Sequence, residues 1–358
     1  MAITTPCYCT REDVKAAPDM KSTDYSNVQI DRAIQSSSRN IEGHLHRRFY
    51  PEDKTKYFDW PAFGGAGGGY TAYPWRLWLD QNDLVSATAV ESPPGTALSG
   101  YFLEPVNSGP PFTYIELNRS QTSAFSAGAT PQHSIKITGT WGYSADTDPA
   151  GTLAASVSST SATTITVSDS SQIGVGDLLI IDTERMLISE RAASTTGQTV
   201  QGSGINTASA ADNVLAVTSG AAITVGEVLL VDAEKMLAVD VTGNNVTVKR
   251  AWDGSALATH TAGTTVNAYR LLTVARGQLG TTAATHSNSA PVSRHRVPAL
   301  IRDLAIAETV NRILQETSGY REDEGGGQAA IGGIGAGLSD LWDEAETSYG
   351  RKNRFRVI

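Results

Sequence analysis

The chain has 358 residues, with 28 Lys+Arg against 37 Asp+Glu for a formal net charge of −9, and only 18% of it is charged, below the roughly 25% usual for soluble domains. Two cysteines, Cys7 and Cys9, exclude a disulfide scaffold, and the acidic balance excludes a protein that grips nucleic acid through a basic surface. The length predicts about two domains. No apolar run approaches the ~18–20 residues of a membrane span, and the opening Met1-Ala2-Ile3-Thr4-Thr5-Pro6 lacks both stretches of a secretion signal. The expectation is a soluble protein made inside the cell, with a surface of Ser, Thr, Gly and Asn.

Residues 10–50 read as helical. Thr10-Arg11-Glu12-Asp13 and Ser26-Asn27-Val28-Gln29 both have the form of a capping box, in which a hydroxyl and an acid or amide exchange bonds with orphan backbone N–H groups. After the second, Ile30, Ile34, Ile41 and Leu45 recur along one helical face. The spacing predicts an amphipathic helix of about five turns that ends in Arg47-Arg48, where cations complement the helix dipole, before Pro51.

From Tyr57 to Tyr143 the pattern changes to short strands: Lys56-Tyr57-Phe58-Asp59-Trp60, Arg76-Leu77-Trp78-Leu79, Tyr114-Ile115-Glu116-Leu117 and Ser134-Ile135-Lys136-Ile137-Thr138. Glycine and proline clusters separate them. The run Gly64-Gly65-Ala66-Gly67-Gly68-Gly69 lacks a following Lys-Ser/Thr and opens no helix, so it reads as a loop tip and not as a phosphate cradle.

Residues 152–170 are almost wholly Ser, Thr, Ala and Val, and an internal repeat follows. Ile173 to Leu187 matches Ile223 to Leu237 with an offset of 50, and both copies carry Asp-x-Glu, at Asp182/Glu184 and Asp232/Glu234. A second echo, offset by 26, relates Thr247-Val248-Lys249-Arg250 and His260 to Thr273-Val274-Ala275-Arg276 and His286. Each unit reads as strand, polar turn, strand, repeated in tandem. From Pro298 the chain turns helical again, with Leu300, Ile301, Leu304, Ala307 and Leu314 as an apolar face. A Gly-rich linker over 325–337 then leads to a short helix, Leu338 to Tyr349, and a basic tail from Arg351.

No catalytic, cofactor or metal residue emerges. His44 and His46 lie about 200° apart around a helix and share no face. Cys7-x-Cys9 has no second pair to complete a zinc site, so reduced, unpaired thiols are expected. Asp182-x-Glu184 and Asp232-x-Glu234 could act as acid and base or hold calcium. Their place where a hairpin needs polar turn residues, each followed by a cation (Arg185, Lys235), favours a structural role, and His260 and His286 read as turn or packing residues. Gly333-Ile334-Gly335-Ala336-Gly337 follows no strand, which disqualifies it as a dinucleotide loop.

One ordered set of motifs remains: Ile30-Asp31-Arg32-Ala33-Ile34 through Asn40-Ile41-Glu42-Gly43 to Arg47-Arg48-Phe49-Tyr50; Thr55 to Asp59; Leu77-Trp78-Leu79-Asp80; Leu84-Val85-Ser86; Gly139-Thr140-Trp141-Gly142-Tyr143; and Val297-Pro298-Ala299-Leu300-Ile301. In this order they resemble the head–tail adaptor (connector) proteins of long-tailed bacteriophages, over about residues 10–143 and 291–320. In that family the Trp-Gly-Tyr-like turn runs almost directly into the Val-Pro helix; here the repeat segment separates them. The resemblance implies an α+β fold, a helical adaptor core with a small β element interrupted by an inserted all-β domain of tandem hairpin repeats. The core would comprise 1–150 and 291–358, and the insertion 151–290.

It also implies a structural, non-enzymatic virion protein at the head–tail junction, assembled in the host cytoplasm. It would form a ring, usually of twelve subunits, that docks under the portal protein and meets a tail-side connector, stopper or tail-terminator protein. Viral DNA would pass through the lumen without sequence-specific binding, past like-charged walls, and no membrane is involved. Ile30, Ile34, Ile41 and Leu45 would form the core or ring-interface helix, while Arg351, Lys352, Arg354, Phe355, Arg356, Val357 and Ile358 would form an arm that contacts the portal or a neighbour. The alternative is a virion decoration or tail-associated protein whose β domain binds carbohydrate or a host surface.

Overall fold

The computed structural model describes residues 3–17, 25–60, 75–317 and 328–351. The chain begins with helices α1 (Arg11–Ala16) and α2 (Asn27–Leu45). Six strands follow: β1 (Glu52–Phe58), β2 (Arg76–Trp78), β3 (Leu84–Glu91), β4 (Tyr101–Glu104), β5 (Tyr114–Leu117) and β6 (Ile135–Trp141). The repeat region supplies β7 (Thr147–Thr152), β8 (Thr164–Thr166), β9 (Leu178–Ile181), β10 (Glu184–Thr199), β11 (Val214–Ala216), β12 (Val228–Val231), β13 (Glu234–Thr242), β14 (Asn245–Lys249), β15 (Thr265–Ala275) and β16 (Pro291–His295). Helices α3 (Ala299–Thr317) and α4 (Gln328–Tyr349) close the chain. None of the described helices is long and apolar enough to cross a membrane.

Both capping boxes form. Asp13 N donates to Thr10 Oγ1 at 3.1 Å while Thr10 N donates to Asp13 Oδ2 at 3.0 Å. Gln29 N and Ser26 N make the reciprocal bonds at 3.3 and 3.0 Å. The linker expected over 325–337 is corrected in its described part. From Gln328 the glycines belong to α4, because glycine weakens a helix without blocking it and no proline interrupts Gln328–Tyr349.

The expected helical core with an inserted β domain is overturned. Strands make up 35% of the chain and helices 21%, with four α-helices among the described residues. The dominant element is a ten-stranded antiparallel sheet in the order β11-β14-β13-β12-β15-β10-β9-β16-β7, with β8 on β15. Its extent was hidden because Thr147–Thr152 and Pro291–His295, flanks of the supposed insertion, pair with each other, and Pro291–His295 also pairs with β9. The chain divides into two units, Met1–Ile41 with Thr147–Ala345, and Glu42–Asp146 with Glu346–Ile358.

In the first unit the repeats are nested, not tandem. The outer module uses β8, the β9–β10 hairpin and β15; the inner module uses β11, the β12–β13 hairpin and β14. Leu187 pairs with Ala275 in the outer module and Leu237 with Lys249 in the inner, each followed by a bulge, between Ile188 and Glu190 and between Ala238 and Asp240. Ile165 opposite Leu272 corresponds to Leu215 opposite Val246. Offsets of 50 and 26 thus describe one unit whose outer copy is split by the inner one. Helices α2 and α3 pack through Ser37 and Thr309, joined at 3.0 Å, and Asn40 and Glu308, joined at 2.8 Å.

The second unit contains two three-stranded sheets, β1-β6-β3 and β2-β5-β4. Their apolar faces share a core that includes Leu84, Ile115, Ile135, Ile137 and Trp141. Strand β6 crosses β3 so closely that a Cβ on Gly139 would strike the Ser86 carbonyl. Gly142 has φ +140°, and a Cβ there would strike the Tyr50 carbonyl. Gly142 N donates to Asp83 O at 3.0 Å and Tyr143 N to Arg48 O at 2.8 Å. Segments 47–50, 83–86 and 139–143, far apart in sequence, therefore meet around one sheet.

Candidate functional site

The repeated acids lie at two equivalent hairpin turns of the nested modules. Asp182 and Asp232 both adopt left-handed backbone at φ 53°, a conformation that Asp tolerates better than most residues. Two residues on, each Glu side chain turns inward and is fully buried. Glu234 accepts from Arg250 Nε at 2.6 Å and Nη2 at 2.7 Å, from Ala251 N and Ala258 N at 3.0 Å, and stands 3.0 Å from His260 Nε2. Glu184 repeats the set with Arg276 Nε and Nη2 at 2.7 Å, Gly277 N and Ala284 N at 2.9 Å, and His286 Nε2 at 2.9 Å.

Burial alone raises the pKa of both glutamates, but the guanidinium, the backbone N–H groups and the histidine together outweigh it and hold each carboxyl at about 2. The second histidine nitrogen faces the turn aspartate, His260 to Asp232 at 2.8 Å and His286 to Asp182 at 2.7 Å. With a carboxylate oxygen at each end, the ring can donate to both only in its doubly protonated form.

This geometry does structural work. Arg250 also donates to the carbonyls of Thr207, Ser209 and Asp212, and Arg276 to those of Ser159 and Ala162. One guanidinium therefore ties the hairpin turn to two loops. A glutamate that accepts five bonds keeps little capacity to exchange a proton with a substrate or to ligate an ion. Among the described residues, no group of three or more His, Cys, Asp or Glu is placed to hold a metal ion. The repeat echoes had marked Arg250, Arg276, His260 and His286, but not their partnership with Asp-x-Glu.

A cavity of about 260 Å³ in the first unit lies beside α1 and is lined by Arg11, Glu12, Asp13, Lys15, Asp177, Glu190, Arg191, Arg294 and Arg302, among others. Its walls are cross-linked charges. Arg11 holds Asp31 through two bonds of 2.8 Å and reaches Glu190 at 2.6 Å. Arg302 holds Asp13 at 2.7 Å, and Lys15 and Lys235 share Asp253 at 2.7 and 2.6 Å. These pairs fasten the N-terminal segment to α2, to α3 and to the repeat modules, and sequence spacing gave no sign of them because their partners are distant in the chain. Burial drives Asp177 the other way, up to about 7, despite the nearby Arg294. Burial likewise lifts the Cys7 thiol to about 12 and pushes the Cys9 thiol well above its ordinary value; both are free of disulfides and buried.

No protein-family model matches this chain, and no curated protein or solved structure is similar to it.

The residues singled out for assembly fall as follows. Ile30, Ile34, Ile41 and Leu45 are all buried within the chain. Arg351 donates to His46 O at 2.8 Å and Asp80 O at 3.1 Å and pairs with buried Asp83 at 2.8 Å. Lys352, Arg354, Phe355, Arg356, Val357 and Ile358 lie outside the described residues, as does the glycine run over 64–69. His44 pairs with Glu346, and His46, at φ 52°, lies just past the end of α2.

Proposed function

We propose that this chain is a structural virion protein resembling the head–tail adaptors of long-tailed phages, assembling as a ring beneath the portal that extends the DNA channel toward the tail. The supporting observation is the convergence of the resemblance motifs: Arg48, Tyr50, Asp83 and Gly142-Tyr143 meet around one three-stranded sheet. In the same unit Phe49, Tyr143 and Tyr349 pack tilted and edge-to-face at centroid distances of 5.3 to 5.7 Å, bringing the C-terminal helix end onto that junction. Arg351 follows directly, tied to Asp83. In this reading Lys352 to Ile358 contact the portal or a neighbour. The large sheet gives the subunit more β structure than the resemblance implies.

Co-sedimentation with a purified portal ring tests the proposal. Retention of the full chain, weakened when residues 352–358 are removed, is the expected result. A chain that never sediments with the portal, or that binds glycans as a monomer or trimer, would instead favour a decoration or tail-associated protein.

A further inference from the structure

The two modules share a fold but not their surroundings. In the outer module, residues 174–176 are buried under the N-terminal segment. Cys7 N donates to Gly176 O at 3.1 Å, and Arg11 N donates to Val175 O at 3.2 Å. Val175 N donates to Glu12 Oε2 at 2.7 Å, and Arg11 Nη1 reaches Glu190 at 2.6 Å. The segment therefore approaches through an irregular stretch bent at Tyr8 and Cys9, then enters a helix whose first residues are a cation and a carboxylate.

The inner module presents the same turn without the N-terminal segment on it; among the described residues Ser171 stands nearest Gly226. Residues 224–226 are all exposed; Val225 is 49% exposed where its counterpart Val175 is 0%. Gly226, at φ +95°, keeps the glycine conformation of Gly176, at +106°. Asp240, opposite Thr247, occupies the register position of Glu190, opposite Thr273, and is exposed. An acceptor pair, a donor and an acid thus recur together.

One position differs. Gly174 admits Thr10 so closely that a Cβ there would strike its side chain, whereas the inner module has Thr224 at this place. Thr224 excludes the chain's own segment and demands a partner with no side chain at the cap. Glycine serves there, since it is an acceptable N-cap. Among the described residues there is one such segment for two such edges, and the outer module already holds it, so a second copy could fill the inner edge only by vacating its own.

We propose that the edge formed by Val225, Gly226 and Asp240 is a docking site for a different protein chain, through a segment that enters a helix as glycine, cation, carboxylate. Binding adds backbone bonds to a preformed turn at Val225-Gly226, with the charges setting register. The site does not depend on the ring reading, since each isolated subunit carries it.

The test uses a labelled peptide of this chain's own residues 4–17 carrying Thr10→Gly, titrated against the full-length protein by fluorescence anisotropy. Saturable binding is expected, weakened by about tenfold or more in Val225→Asp and in Asp240→Asn. The unsubstituted peptide is expected to bind only when the protein carries Thr224→Gly. Absence of binding, or binding that both edge variants leave unchanged, would overturn the proposal; the latter would mean exchange at the outer module. Circular dichroism of the variants confirms that the fold is kept.

Discussion

Arg276 donates from Nε to Glu184 Oε1 at 2.7 Å across 92 residues of chain, and Arg250 makes the same bond to Glu234 at 2.6 Å across only 16. The outer hairpin closes only on the strand that follows the inner module. Removing one member of a buried ion pair strands the other charge without water. Arg250→Met and Glu234→Gln are each expected to lower stability by about 3 kcal/mol in urea unfolding, and Arg276→Met by about as much. A loss below about 1 kcal/mol at all three positions would show that the network does not hold the modules closed.

Nesting also makes the inner module removable. Val200 N donates to Thr264 O and Gly263 N to Val200 O, both at 2.8 Å, so the ends of the inner module meet. Replacing residues 201–263 with an Asn-Gly turn would join β10 to β15 as a hairpin. The shortened protein is expected to keep a cooperative thermal transition and strand-rich circular dichroism. Loss of both would mean that the outer module needs the inner one to fold.

Acid stability follows from the same glutamates. Their carboxyls stand at about 2 when folded, against an ordinary 4.5. The folded state therefore binds fewer protons over this window, and the stabilisation is present above pH 4.5 and lost as pH falls through about 2. Denaturant midpoints measured from pH 5 to 2 should fall steeply for the native sequence. The double variant Glu184→Gln, Glu234→Gln should start weaker at pH 7 and change less over that range.

Asp177 carries the opposite sign. Its carboxyl rises from an ordinary 3.8 to about 7 through burial, so the folded state keeps a proton that the unfolded chain releases, and stability declines as pH climbs from 3.8 through about 7 and levels off above it. Asp177→Asn retains the polar group facing Gly174 N, which donates to Asp177 at 2.8 Å. It is expected to stabilise by roughly 1–3 kcal/mol at pH 8 and by little at pH 5, measured by urea unfolding at both values.

Local chemistry made parts of this structure legible in advance. Thr10 with Asp13 and Ser26 with Gln29 announced two helix starts, and Tyr114–Leu117 is a strand over its full predicted span. The Asp-x-Glu turns were visible as polar residues between apolar runs. Relations between distant segments were not. The match of Ile173–Leu187 to Ile223–Leu237 shows duplication, but only strand pairing shows that β15 returns to the first hairpin after the second is complete. Strand β10 is 16 residues long and rich in Ser and Thr, so its alternation is weak and its length was missed. The helices, with sharper apolar periodicity, were given too large a share of the fold. The bonds from Arg11 to Asp31 and Glu190 left no trace in spacing, because each joins segments far apart in the chain.

Electron microscopy of the purified protein tests the assembly reading most directly. Closed rings of about twelve subunits with an open central channel are predicted, with a solution mass near twelve times the 37.8 kDa subunit. A protein that stays monomeric or trimeric at every concentration, with no ring in the images, would contradict it.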